Sequence, residues 1–131
     1  MSIAITPFLR NALLVDAIAS GATAVLLVAG ADILEAFLGL PSRLLFWAGI
    51  ALLPFVAMLA TTARRSNTSR LVLIDIIAIN ALWVTGSFAV LVSGAFTPSP
   101  IGIVFVAIQA LAVALFAELQ FVAMRRSSAA A

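Results

Sequence analysis

The sequence predicts an all-α polytopic membrane protein, a bundle of four transmembrane helices in a single domain. Three observations predict it. Of 131 residues, 65% are hydrophobic and only 9% charged, against roughly 25% charged in soluble domains. A chain this short would leave much of that apolar side chain facing water, because surface-to-volume scaling keeps a large share of a small fold's area exposed. A lipid-facing exterior removes the difficulty. Apolar runs of bilayer length also recur four times, separated by short polar or proline-containing joints. Finally, all seven basic residues are arginines, and they stand at the ends of those runs.

Residues 1–10 (MSIAITPFLR) read as a short cytosolic or interfacial lead, with Pro7 suited to a helix's first turn. The first span runs from about 11 to 31. A secretory signal peptide is its rival, since Ala29-Gly30-Ala31 resembles a cleavage site. Against that, the apolar run exceeds the usual length, Asp16 lies inside it, and Arg10 alone makes a thin basic region. Residues 32–43 (DILEAFLGLPSR) are too few and too charged to span, and predict a loop with a brief amphipathic turn on the outer surface.

The second span covers about 44–63, with Pro54 at its middle predicting a kink. Residues 64–70 (RRSNTSR) form a short polar connection. The third span, about 71–93, organises the chain: Leu71 to Val92 covers roughly 33 Å at ~1.5 Å per residue, the thickness of a hydrocarbon core. Thr97-Pro98-Ser99-Pro100 makes an uncharged turn, the fourth span takes about 101–124, and residues 125–131 read as a polar tail.

Six arginines (Arg10, Arg64, Arg65, Arg70, Arg125 and Arg126) fall on one side of this topology and Arg43 alone on the other. The positive-inside rule places the crowded side, with both termini, in the cytoplasm; the expected location is a bacterial inner membrane. Arginines at span ends, not on one basic face, argue against nucleic acid as a partner. The absence of cysteine and histidine excludes disulfides, thiolate chemistry, histidine-ligated haem and the usual zinc and iron sites. No cofactor, metal site or catalytic residue is expected.

LLVDAIA (13–19) is similar to VLIDIIA (72–78), and Phe-Val-Ala-Met occurs at 55–58 and 121–124, each ahead of Arg-Arg-Ser. Two tandem helical hairpins in the same orientation would account for this; so would chance in so apolar an alphabet.

An ionised side chain costs roughly 2.5–3.5 kcal/mol at mid-span, so intramembrane polar residues mark where protein replaces lipid. Asp16, Asp75 and Glu118 stand five to seven residues from a cytoplasmic arginine, roughly 8–11 Å inside the basic boundary. At one depth they suit a cytoplasmic vestibule admitting cations, or each reaches an arginine or headgroup water separately. Nearer the midplane, Asn80, Ser87 and Gly94 repeat at seven residues with Trp83 on the same stripe, the spacing of a helix–helix seam. On the fourth span Gly102, Gln109, Phe116 and Gln120 share a face that excludes Glu118, and on the first Asp16, Ser20 and Thr23 share one. Trp83 needs an indole partner within the bundle, with Asn80 and Gln109 in reach. Ser20, Asn80, Trp83 and Gln109 are therefore either structural glue or the lining of a small ligand cavity.

Small multidrug exporters have this length and span count, but carry a glutamate where this chain has Ala19, Ser20 and Gly21. Asn80 with Gly86-Ser87-Phe88 is faintly similar to elements of fluoride channels, whose phenylalanine-containing hydroxyl motif is missing. Taken together, Asn80-Ala81-Leu82-Trp83, Gln109-Ala110 and Phe116-Ala117-Glu118-Leu119-Gln120 ahead of Arg125-Arg126 resemble small proteobacterial four-span integral membrane proteins. That resemblance covers nearly the whole chain and implies the fold, with no activity attached.

Two functions fit. One is non-enzymatic binding or transport of a small amphipathic or apolar molecule, lipid-like in character, through an intramembrane pocket. The other is an accessory or scaffold role, in a homo-oligomer or packed against a larger membrane complex. A membrane enzyme ranks third, since it would need Asp16, Asp75 and Glu118 to converge.

Overall fold

The structure is a computed structural model that describes residues 2–130, with side chains described through Ser127. In chain order the elements are β1 (Ser2–Ala4), α1 (Pro7–Ala29), α2 (Ala31–Leu38), α3 (Ser42–Arg64), β2 (Asn67–Ser69), α4 (Arg70–Val92) and α5 (Pro100–Ala130). Four of the helices are long and apolar enough to cross a membrane: α1, α3 and α4 with 23 residues each, and 28 residues of α5. The four-helix membrane architecture read from the sequence is the one observed.

Local chemistry sets the helix starts. Thr6 accepts the Leu9 amide at 3.2 Å and Pro7 occupies the first turn of α1, so this helix begins ahead of the predicted 11. Ser69 caps α4 through the Val72 amide at 3.2 Å. The Glu35 carboxylate accepts the Ser42 amide at 2.9 Å, placing negative charge at the α3 N-terminus where the helix dipole favours it. α3 stays helical through Pro54, which lies on its exposed face.

The predicted outer loop 32–43 proves to hold an eight-residue helix, α2, whose Ala31 and Leu38 turn inward while Ile33 and Phe37 are exposed. Gly39 ends it at φ 70°, a conformation that favours glycine. The turn before α5 fastens onto that end: the Ser99 amide donates to Leu38 O at 2.8 Å and its hydroxyl to Phe37 O at 2.6 Å. Gly102 lies so close that a Cβ there would clash with the Leu38 carbonyl.

At the opposite end β1 and β2 pair as a two-stranded antiparallel ribbon, Ile3 opposite Thr68. The lead and the 64–70 connection are thus one small structure, not two independent loops. Arg10 ties it to α3, donating to Ala63 O at 2.8 Å and Arg65 O at 3.0 Å, which satisfies carbonyls at a helix end. The predicted polar tail is a correction: α5 continues through Arg125 and Arg126 to Ala130. Arg126 stacks over Phe8 at 5.2 Å, tying α5 to α1, and Arg125 stacks over Phe121 at 5.7 Å. The second contact joins residues one turn apart, the spacing at which side-chain pairs support a helix.

Within the bundle α1 packs along α3 and α4 along α5, and α1 meets α5 to join the two pairs. Leu9 and Leu13 of α1, Leu59 of α3, Ile76 of α4 and Ala123 of α5 fill the core. Gly49 admits α1 closely, since a Cβ there would stand 2.9 Å from Leu27 Cβ. Among the described residues α3 and α4 do not pack extensively on each other; an apolar cleft lies between them. The two hairpins are present, but the aspartates matched in the internal similarity have unlike surroundings: Asp16 is buried and Asp75 exposed.

Candidate functional site

Two polar clusters cross the bundle interior. The deeper one centres on Asp16, which is fully buried (0% exposed) on α1. Its Oδ1 accepts the Ser20 hydroxyl at 2.9 Å, one turn along the same helix. Its Oδ2 accepts the Asn80 side-chain amide of α4 at 2.7 Å and that of Gln120 on α5, also at 2.7 Å. Asn80 further donates to Gln120 Oε1 at 3.0 Å. Three helices therefore meet at one carboxylate whose partners among the described residues are all uncharged. Hydrogen bonds to a charged group contribute about 1.5–3 kcal/mol each, enough to offset the roughly 2.5–3.5 kcal/mol penalty for such a group within a span.

The second cluster joins α4 to α5. The Trp83 indole N–H donates to Gln109 Oε1 at 2.7 Å. Gln109 Nε2 donates to Ser87 Oγ at 2.9 Å, and Ser87 donates to Trp83 O at 2.7 Å. The circuit closes on itself. It answers the tryptophan's need for a partner with one of the two residues expected, Gln109, and leaves Asn80 to Asp16.

Between the clusters lies an inner cavity of about 70 Å³. Ser20, Asn80, Trp83 and Gln109 all line it, together with Phe55 and Phe116. The four residues expected from the sequence to line a ligand pocket are thus brought together. Beside it, sharing Thr23, Trp83 and Gln109 as a common wall, is the α3–α4 cleft of about 290 Å³. That cleft is lined by leucine, valine and phenylalanine side chains, among them Leu44, Leu45, Val90 and Phe105. Leu82 and Gly86 on its rim are exposed, so it opens sideways toward the surroundings of the bundle.

The cytoplasmic vestibule is not built as expected. Asp16 faces the interior, while Asp75 and Glu118 are exposed on their helices. The reason is angular. At ~100° per residue, Asp75 stands about 140° round α4 from Asn80, and Glu118 about 200° round α5 from Gln120. Equal depth along the chain says nothing about which way a side chain turns. Gly94 likewise leaves the expected seam: it follows the end of α4 at φ 77°, with open space about it. Gln120 is the residue that the sequence places on the right face without giving it a role; its spacing of eleven from Gln109, three helical turns, is the signal that marks it.

Compared with protein-family models, with curated proteins and with solved structures, the chain finds no match.

Proposed function

We propose that this protein binds, and through that binding can move, a small amphipathic or apolar molecule that enters sideways from the bilayer between α3 and α4. The observation that carries the reading is the α3–α4 cleft of about 290 Å³ with its apolar lining. Its size is near the lower end for small-molecule sites, which are mostly apolar with a few placed polar groups. Here those groups are Trp83 and Gln109 at the inner wall. Packing of the kind that joins α1 to α3 would have closed the gap. Instead Gly86 stands at the rim, where an added Cβ would meet none of the described residues within 4 Å. The arginine asymmetry supports a cytoplasmic ribbon end, and the resemblance to small proteobacterial proteins supports an inner-membrane home.

Two tryptophans are present, and Trp47 is removable because it is exposed near the α2 end. In Trp47→Phe protein reconstituted in phosphatidylcholine nanodiscs, titration with a medium-chain bromo-alcohol is expected to quench Trp83 saturably. Gly86→Phe, which fills the cleft, should abolish the saturable part. Quenching that rises linearly and is the same in both proteins would overturn the reading and favour a scaffold role.

A further inference from the structure

We infer that the inner cavity seats a positively charged head, so that the ligand is a single-chain cationic amphipath with its tail in the α3–α4 cleft. The inference rests on the cleft reading above and adds the charge of the ligand to it.

Asp16 is a formally negative group buried in the bundle, and each partner of its oxygens among the described residues, Ser20, Asn80 and Gln120, is neutral. Arg10, the nearest arginine in sequence, is committed to the Ala63 and Arg65 carbonyls at the ribbon end. Away from water, such a charge acts over several ångströms with little screening. Intramembrane carboxylates commonly pair with a cation that belongs to the protein or to what it binds.

The cavity wall beside Asp16 has the chemistry a cation would use. Ser20 and Asn80 are hydrogen-bonded directly to the carboxylate, and both line the cavity. Phe55, Trp83 and Phe116 are three aromatic residues lining the same space, and the faces of aromatic rings attract alkylammonium groups. The amide nitrogen of Asn80 is spent on Asp16 and Gln120, which leaves its carbonyl oxygen as an acceptor. An anionic head would meet the field of Asp16 unfavourably. Because Thr23, Trp83 and Gln109 belong to both cavities, a head in the inner one continues into a tail in the cleft without a break.

The test compares heads on one tail. Trp47→Phe protein in phosphatidylcholine nanodiscs is titrated with decyltrimethylammonium, decanol and decyl sulfate at matched bilayer mole fractions, reading Trp83 fluorescence. The ammonium is expected to bind about tenfold more tightly than the alcohol, and the sulfate more weakly than either. Asp16→Asn and Phe116→Leu, each checked for native elution and helical content, should each shrink the ammonium's advantage. Equal affinity for ammonium and alcohol on the unaltered cavity overturns the inference and leaves the cleft reading standing. Saturation by none of the three overturns both.

Discussion

Gln109 holds three partners at once, accepting from the Trp83 indole and donating to the Ser87 hydroxyl and the Val106 carbonyl, and this makes it the most informative single residue to remove. Gln109→Leu leaves the part-buried Trp83 indole N–H without its acceptor and is expected to cost about 1–2 kcal/mol of stability, measured by equilibrium unfolding in mixed micelles. Trp83→Phe combined with Gln109→Leu should cost less than the two single changes added together, because the second removes the group that the first leaves unpaired. Gln120→Leu takes one of three donors from Asp16 and should cost about as much as Gln109→Leu or more, since the acceptor left short is a carboxylate. At this scale the sequence is informative where a residue's own chemistry demands a partner. A mid-span tryptophan must find an acceptor, and Gln109 stands at the matching depth. It is uninformative for Asp16, Asp75 and Glu118, whose depths are alike and whose directions are not.

Directions are decided by elements, and here α4 and α5 are hard to read because they are apolar nearly all round. A helix without a polar face carries little record of which side meets protein. The spans themselves are legible to within a few residues, since run length and end chemistry fix them. The ribbon is not: Ser-Ile-Ala and Asn-Thr-Ser are too short for any alternation to register, and only the meeting of the two ends creates it. Packing between elements makes its own prediction through two glycines. Gly49→Val would drive methyl groups into Leu27 and Val28 of α1 and is expected to destabilise by about 1–3 kcal/mol. Gly86→Ala meets nothing among the described residues and should be neutral or stabilise by up to about 1 kcal/mol through helix propensity. Thermal unfolding of the two variants beside the parent decides it; equal effects would mean that α1 and α3 do not approach as described.

For the molecule as a whole, the ribbon, the start of α1, the Arg125–Arg126 end of α5 and six of seven arginines gather at one end, while α2, Arg43 and the Thr97–Pro100 turn stand at the other. The chain has no cysteine, so single cysteines report topology cleanly. Thr97→Cys is expected to react with a membrane-impermeant maleimide on intact spheroplasts, and Ser66→Cys only after the membrane is opened. The same two-ended organisation explains the cleft. The α2 clasp and the ribbon fix both ends of the bundle, α1 and α5 join its halves, and α3 and α4 are left apart along one side. A ligand drawn from the bilayer would enter through that gap.

The most direct measurement is photolabelling with a diazirine-bearing decyl amphipath in nanodiscs, followed by mapping of the modified residues by mass spectrometry. Labels concentrated on cleft residues such as Leu44, Ala48, Leu82 and Val90, and displaced by excess unlabelled decyltrimethylammonium, are the expected result. Labels spread evenly over outward-facing residues such as Ile18, Val25, Ile108 and Leu111, and indifferent to competitor, would contradict it.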